Sequence, residues 1–386
     1  MPLKGLKGSL SLSHDSKTIK FAYVSFSMLS CLTFLICDLI VIVTYLMYLP
    51  AMGGFNISSA TTLIFHSMGL LAYLGFFHLA SKWQHIITKW LKMENKFLRH
   101  PYTSKDSLSL RRKVIMTSAV IAVLSLAEHS LFQGCMIYGF IDRRNVCGKE
   151  TEEEPIAVFL KERFPYMFHA IPHIVFLWIN QYVSFIGTVV WNFLDLFIII
   201  IAIGIKTRFK QLYDYMKKTI ILEEENIHYF QLLRSDYTDA CELLSFVDRH
   251  VSILIFLSCV NNLYFVCNQL LNVFNPLRYS IDRIYFWYST VYLLGRTFYL
   301  FYTAAEINEI SKAPAKLLNS IYNKKCANEV ERFLMQVNTE HPALSAMGFF
   351  NFTRQLILTM AGAIVTFELV MIQLNDISEL SPLCGV

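Results

Sequence analysis

Hydrophobic residues are concentrated in seven long runs separated by polar segments. The runs cover residues 21–49, 58–80, 114–140, 178–205, 251–273, 284–305 and 351–374. Each run holds about twenty residues or more, and a helix of that length, at about 1.5 Å per residue, crosses the hydrocarbon core of a bilayer. The pattern predicts an all-α, polytopic membrane protein with seven transmembrane helices in a single domain over residues 1–386.

The last run carries one stripe of small and polar side chains that recur every three or four positions. Such spacing places them on one face of a helix. They are Thr359, Gly362, Thr366, Val370 and Gln373. Polar side chains at membrane depth normally face protein or water. The stripe therefore indicates either the lining of a conduit or a packing seam between helices, because Gly362 and Thr366 also have the spacing of small residues in close helix contacts.

Composition and charge fix the predicted orientation. Of 386 residues, 55% are hydrophobic and 16% charged, which departs from the composition of soluble proteins toward that of membrane proteins. Of the 34 Lys and Arg residues, 25 lie in the segments 1–20, 81–113, 206–250 and 306–349, and seven lie in the alternate segments. The positive-inside rule then predicts a cytoplasmic N-terminus and an extracellular C-terminus. Segments 81–99 and 206–248 are interpreted as cytoplasmic extensions of the spanning helices, with solvated charges.

Cysteines and glycosylation signals add little. The nine cysteines contain no CxxC pair, so neither a metal site nor a disulfide framework is expected. Cys147 and Cys384 both fall in predicted outer segments, and a disulfide between them is left open. Asn56 begins an Asn-Ile-Ser sequence in a predicted outer loop and is a candidate for glycosylation.

Two short fragments are similar to motifs of G-protein-coupled receptors. Residues 275–279 match NPxxY, and residues 248–250 resemble a DRY motif. The first falls in a predicted outer loop rather than at the inner end of a seventh helix, and the predicted orientation of the N-terminus is the opposite one. Both matches are interpreted as accidental. The sequence has no P-loop, HExxH, GxSxG or glycine-rich nucleotide turn, so no enzyme, cofactor or nucleic-acid partner is expected.

Spans three to six carry many polar and aromatic residues in the halves predicted to lie nearest the outside. The candidates are Glu128, His129, Gln133, Trp178, Asn180, Gln181, Asn261, Asn262, Tyr264, Asn268 and Tyr288. Unpaired polar groups in hydrocarbon are costly, so these groups must face each other, the backbone or a hydrated cavity. Carboxylate, amide and hydroxyl groups beside aromatic rings suit a polyol. The set predicts a ligand pocket within residues 114–305, although hydrogen bonding between helices uses the same residue types. Asp195 and Arg296 are expected to form a structural pair.

The final span resembles the signature of insect gustatory receptors. Its sequence TFELVMIQL is similar to TYhhhhhQF, and the internal ELV is similar to the TYELV variant of the sugar-receptor branch. Similarity extends through KWLKMENKF, SLAEHSL, WNFLDLF and VNNLYFVCNQL. Phe367 and Leu374 depart from the pattern, where Tyr and Phe are usual.

The resemblance implies a sugar-gated, non-selective cation channel in the plasma membrane of chemosensory neurons, assembled as a homo-tetramer or as a hetero-tetramer with related receptors. Four copies of the pore helix 351–374 would surround the pore, with Thr366, Val370, Gln373 and Leu374 at the pore and its outer gate. Glu368 lies about 200° around the helix from Thr366 and would face neighbouring helices. The alternatives are a G-protein-coupled chemoreceptor and a secondary sugar transporter.

Overall fold

Helices account for nearly all of the described chain. The computed structural model describes residues 3–4, 20–21, 26–54, 57–102, 106–147, 154–221, 227–321 and 326–374. The helices are α1 (Phe26–Tyr48), α2 (Ile57–Phe97), α3 (Asp106–Cys147), α4 (Pro155–Arg163), α5 (Pro165–Ala170), α6 (Ile174–Ile221), α7 (Ile227–Leu271), α8 (Ser280–Asn319), α9 (Ala327–Thr339) and α10 (Arg354–Leu374). Short 3-10 turns cover Leu49–Met52 and Asn272–Phe274, and β1 (Leu3–Lys4) pairs antiparallel with β2 (Lys20–Phe21).

Each of the seven hydrophobic runs coincides with one long helix. Among the described residues, α1, α2, α3, α6 and α7 are long and apolar enough to cross a membrane. The predicted sixth and seventh spans fall in α8 and α10, and their crossing stays a prediction. The α8 sequence is less apolar because it carries Arg296 and several tyrosines. The all-helical prediction therefore agrees with the structure apart from the two-residue strands.

The helices α2, α6, α7 and α8 continue far beyond the hydrophobic runs and pack together at one end of the bundle. We call this the basic end, because the Lys- and Arg-rich segments meet there. Its core is formed by large buried side chains from four helices, with α9 packed across them. Examples are Phe209, Leu212, Leu233, Tyr237 and Phe333. The amphipathic α9 buries Val330, Phe333 and Val337 on one face.

Several charges at the basic end are buried, so the expectation of solvated charges was wrong there. Asp236 is 1% exposed and accepts hydrogen bonds from the Tyr102 hydroxyl and the Lys96 ammonium. Lys96 also reaches Asp239, with 2.6 Å between Nζ and Oδ2. Burial opposes the charged form of Lys96, but the two carboxylates outweigh it and raise the pKa of the ammonium. Arg208, 2% exposed, pairs with a Glu94 carboxylate. The charges tie α2 to α6 and α7.

The opposite end is covered by the short helices α4 and α5. They contribute Leu160 and Met167 to a second core with Phe34 and Tyr45 of α1 and Leu177 of α6. Both helices lie between the third and fourth hydrophobic runs, and α4 ends with the charged residues Lys161, Glu162 and Arg163.

The final helix is attached along one side. α10 packs on α7 and α8, and the turn before it is fixed to α7 because the Ser345 backbone N–H and hydroxyl both donate to Asp248, at 2.7 and 2.6 Å. Met347 and Gly348 in that turn have left-handed backbones, with φ of 52° and 78°. The start of α10 is therefore held firmly by α7.

Cys147, at the end of α3, is disulfide-bonded. The other seven described cysteines are free thiols. Cys384, the candidate partner in the sequence, and the glycosylation candidate Asn56 both lie outside the described residues.

Substituting Asp236→Asn is expected to destabilise the protein by about 2 kcal/mol, because it removes the charge of a buried carboxylate that serves both Tyr102 and Lys96. The matched variant Asp239→Asn, at a position 38% exposed, should cost less than about 1 kcal/mol. The melting temperatures of the purified variants in detergent measure the difference. Equal melting temperatures for the two variants would contradict the role given to Asp236.

Candidate functional site

A buried polar network joins α6, α7 and α8 in the middle of the bundle. Arg296 of α8 and Asp195 of α6 form an ion pair with 2.8 Å between Nε and Oδ2, and the two side chains are 2% and 0% exposed. The expected structural pair is confirmed. The hydroxyl of Ser258 and the amide of Asn262, both on α7, donate to Asp195 Oδ1 at 2.6 and 3.0 Å. Charges at this depth need such a complete set of partners.

The network extends to Asn192 and to aromatic rings. Asn192 Oδ1 accepts from Arg296 and from the Tyr292 hydroxyl, the latter at 2.7 Å. The guanidinium lies 4.7 Å from the centroid of Trp191, whose ring nitrogen donates to Asn262 Oδ1 at 3.1 Å. The amide of Asn262 is therefore engaged on both sides by protein groups, and its predicted contact with a ligand stays a prediction.

Glu128 of α3 contacts α8 one to two helical turns before the network residues Tyr292 and Arg296. Its Oε1 accepts from the Ser289 hydroxyl at 3.1 Å and from the Tyr285 hydroxyl at 3.5 Å. The hydroxyl of Tyr288 donates to the backbone oxygen of Leu124 at 3.0 Å. The predicted site residues Glu128 and Tyr288 thus lie along the contact between α3 and α8.

His129 and Gln133 continue the polar face of α3 toward the covered end. Their side-chain nitrogens lie 3.1 Å apart, so the Gln133 amide donates to the ring when the His129 Nε2 carries no proton. Gln133 Oε1 accepts from Arg163 Nη1 at 2.6 Å. Arg163, at the end of α4, packs its guanidinium 5.2 Å from the centroids of Phe132 and Phe164. Burial lowers the pKa of Arg163, whose guanidinium donates to the neutral amide of Gln133.

Arg163 was absent from the predicted site. The sequence offered only a weak signal for it, the aromatic residues Phe159 and Phe164 on either side. We call the group Glu128, His129, Gln133, Tyr288 and Arg163 the α3 polar cluster. It presents a carboxylate, an amide, an imidazole and a guanidinium beside aromatic rings, which is a set able to hydrogen-bond hydroxyl groups and pack against C–H faces.

The remaining predicted residues have other partners. Asn180, 1% exposed, donates to the Tyr166 hydroxyl at 2.9 Å. Tyr264 and Asn268 both bond to Thr61 of α2, at 3.0 and 3.2 Å.

Three more predicted residues lie on α6 and α7 without a shared partner. Trp178 is 52% exposed, and Gln181 Oε1 is buried without a donor among the described residues. Asn261 lines a very small cavity between α2, α6 and α7. The eleven residues therefore do not share a single set of contacts, and four of them belong to the α3 polar cluster.

The stripe on α10 is uncovered in the single chain. Thr359, Gly362, Thr366, Val370 and Gln373 are all exposed, whereas Glu368 is 9% exposed. The burial of Glu368 agrees with the expectation that it faces neighbouring helices. Exposure is not confined to the stripe, because Leu358, Val365 and Leu369 are also exposed, and the pore-facing role of the stripe stays a prediction. The Leu374 side chain lies outside the described residues.

Comparison with known proteins gives the family. A family model described as "Trehalose receptor" matches residues 1–384. The chain belongs to this family, within the sugar branch of the insect gustatory receptors. It is 38% identical to the Drosophila melanogaster "Gustatory receptor for sugar taste 64a", covering 100% of this chain and 84% of the relative. It is 27% identical to the "Gustatory receptor 5a for trehalose" of the same species, covering 97% and 82%.

The fold is that of an insect olfactory receptor. The structure of olfactory receptor OR5 from Machilis hrabei in complex with eugenol superimposes with a TM-score of 0.64 at 14% identity, covering 97% of this chain and 94% of that one. The structure of the same receptor described without that ligand gives 0.62, covering 90% and 89%. Family, fold and apolar helices together make this receptor a multi-pass membrane protein.

Substituting Arg296→Gln is expected to destabilise the receptor by about 3 kcal/mol or more, because Asp195 would keep a buried charge without a counter-ion. The double substitution Asp195→Asn with Arg296→Gln removes both charges and should recover part of that loss. Melting temperature in detergent and the amount of receptor at the cell surface measure both effects. A melting temperature equal to wild type for the single variant would show that the pair is unimportant for stability.

Proposed function

We propose that this receptor is a sugar-gated, non-selective cation channel in the plasma membrane of chemosensory neurons. Its membership of the sugar branch over nearly the whole chain is the observation that carries the proposal. The names of its relatives refer to sugar taste and trehalose, and its fold is shared with an insect olfactory receptor. As such a channel, the receptor would bind a sugar, conduct cations and contact membrane lipid.

The sugar binds at the α3 polar cluster. Glu128 accepts hydrogen bonds from sugar hydroxyls, while the Gln133 amide and the Arg163 guanidinium supply donors. The rings of Phe132 and Tyr288 give apolar surface for the C–H groups of the sugar. Of the other predicted residues on α6 and α7, four hold the surrounding helices in place through their hydrogen bonds: Asn180, Asn262, Tyr264 and Asn268. Because α4 carries Arg163, the segment before α6 also contributes to the site.

Four copies of α10 surround a central pore, with the N-terminus of each chain in the cytoplasm. The exposed stripe supports this arrangement, since Thr366, Val370 and Gln373 are free to face a shared axis. The predicted orientation places Gln373 and Leu374 near the outer mouth. A ring of four neutral glutamine amides with apolar neighbours favours weak ion selectivity and gating by dewetting.

Ligand binding is coupled to the pore through α8. This helix contacts Glu128 through Ser289, carries Arg296 in the buried network and packs on α10. A sugar that binds more tightly when α3 and α8 adopt the open arrangement shifts the population toward it. The size of this population shift is set by the ratio of the sugar's affinities for the open and closed arrangements.

Cells without functional G-protein signalling separate the candidate classes. Sugar should evoke cation current in such cells when this receptor is expressed, whereas a G-protein-coupled receptor gives no current there. A secondary transporter would accumulate labelled sugar. Accumulation without channel-sized conductance would overturn the proposal.

Substituting Glu128→Gln should shift the sugar dose response to roughly tenfold higher concentration, because a hydrogen bond to a charged acceptor is worth about 1.5 kcal/mol or more. Currents are measured against sugar concentration with surface expression quantified in parallel. Glu331→Gln, at an exposed position on α9, is the matched control and should leave the curve unchanged. An unshifted curve for Glu128→Gln would remove this residue from the site.

Substituting Gln373→Glu should raise the permeability of divalent over monovalent cations, because four added carboxylates attract divalent ions more strongly. Gln373→Ala should change the ratio less and alter the closed-state leak. Reversal potentials in mixed-ion solutions give the ratios. Gln84→Glu, an exposed position on α2 far along the chain from α10, provides the control. Ratios unchanged in both Gln373 variants would show that this side chain does not line the pore.

A further inference from the structure

An open cleft lies at the basic end between α2, α7 and the segment after α9. Its volume is about 580 Å³, within the range of small-molecule sites. Thr238, Glu242, Ser245 and Arg249 line one wall, and their spacing of three or four residues places them on one face of α7. Lys89 of α2 and residues 340–342 line the other walls. All of these residues are separate from the α3 polar cluster and from the buried network around Arg296.

The Lys and Arg side chains that line the cleft are Lys89 and Arg249. Among the described residues, neither Lys89 nor Arg249 forms an ion pair. The Lys89 ammonium instead lies 4.1 Å from the centroid of Phe246. The same ring contacts His85 and His250, with centroids 5.6 and 4.7 Å away. At the same end Lys96, Arg208 and Arg234 pair with acids, while Lys217 and Lys218 of α6 are exposed and form no ion pair among the described residues, but lie outside the cleft. Unpaired cations around one cleft provide a site for an anion.

The cleft lies next to the predicted membrane boundary. Arg249 lies two residues before the hydrophobic run that begins at residue 251, and Lys89 lies nine residues beyond the run that ends at residue 80. In the proposed orientation this is the cytoplasmic face, where the leaflet carries anionic lipids. A headgroup in the cleft can therefore remain attached to its acyl chains in the bilayer.

Two carboxylates in the cleft restrict the ligand further. Glu242 is exposed and Glu340 is half-buried, and both line the same space as the cations. They repel a bare phosphate but accept hydrogen bonds from hydroxyl groups. A headgroup that carries phosphates together with several hydroxyls satisfies both sets of residues. We propose that this cleft binds the phosphorylated inositol headgroup of a membrane phosphoinositide, with Lys89 and Arg249 holding phosphates and Glu242 holding ring hydroxyls.

The test measures binding to the full-length receptor in phosphatidylcholine nanodiscs, which expose both faces of the protein and do not require sugar or current. The probe is dioctanoyl phosphatidylinositol 4,5-bisphosphate. The double variant Lys89→Gln with Arg249→Gln should weaken binding about thirtyfold, since each basic residue near an anionic headgroup is worth roughly fivefold in affinity. The control Lys217→Gln with Lys218→Gln removes the same charge from exposed positions of α6 outside the cleft and should change binding less than threefold.

A second variant keeps the charges and fills the space. Ser245→Trp places a large ring in the cleft and should weaken binding by at least as much as the charge variant, so the test does not depend on the folding of the charge variants. Melting temperature confirms that each variant is folded. Equal losses in the cleft and control variants would overturn the proposal, because they would show general attraction by the basic end.

Two further probes identify the ligand. Dioctanoyl phosphatidic acid should bind at least tenfold more weakly than the phosphoinositide, because it lacks both the ring hydroxyls and the two ring phosphates. Inositol 1,4,5-trisphosphate should bind more weakly than the lipid. If the soluble inositol phosphate binds as tightly as the lipid, the ligand is cytoplasmic and the membrane source is wrong. If phosphatidic acid binds equally well, the role given to Glu242 is wrong.

Discussion

The ion pair between Asp195 and Arg296 is the contact on which the arrangement of the bundle depends. Burying one charge without the other costs several kcal/mol. If α6 and α8 slid or rotated independently, the pair would separate and leave such an unpaired charge buried. Ser258 and Asn262 add α7 to the same constraint by bonding to the carboxylate. Three long helices are therefore aligned by one set of side chains. This alignment places Ser289 and Tyr285 of α8 against Glu128 of α3.

Away from this network, the two ends of the bundle are stabilised differently. The basic end has a large apolar core and buried ion pairs among α2, α6, α7, α8 and α9. The opposite end is covered by two short helices whose Arg163 contacts α3. α10 is fixed at its start by Asp248 and along one side by α7 and α8, while its small-residue stripe is uncovered. The base of the bundle is therefore tightly packed, whereas most of the described length of α10 is exposed in the single chain.

The sequence predicted the helices well because each hydrophobic run is long enough to span a bilayer as a helix, which satisfies its backbone hydrogen bonds within the segment. It also predicted the Asp195–Arg296 pair, since two opposite charges at similar depth must meet. It did not predict α4 and α5, because α4 carries charged residues beside its buried Leu160 and α5 is only 6 residues long. It missed the buried pair of Asp38 and His66, with 2.7 Å between Oδ1 and Nδ1. A single ionisable residue in an apolar run indicates that a partner exists but not which helix supplies it.

The candidate ligand residues were only partly brought together. Tyr264, Asn268 and Asn180 have the residue types of a polyol site, but they bond to Thr61 and Tyr166 and so connect helices. Composition cannot separate these two uses, because the hydrogen-bonding groups are the same and only the three-dimensional partners differ. Arg163 belongs to the α3 polar cluster but was not predicted. Its contact with Gln133 depends on how the segment before α6 folds back over α3, which composition does not reveal.

The most direct measurement is the current through the purified receptor reconstituted alone in a planar lipid bilayer. Addition of sugar should evoke discrete unitary currents that carry both sodium and potassium, with open probability rising with sugar concentration and no other protein present. If every member of a broad panel of mono- and disaccharides leaves a folded, correctly assembled receptor without unitary currents, this chain alone does not form a sugar-gated channel.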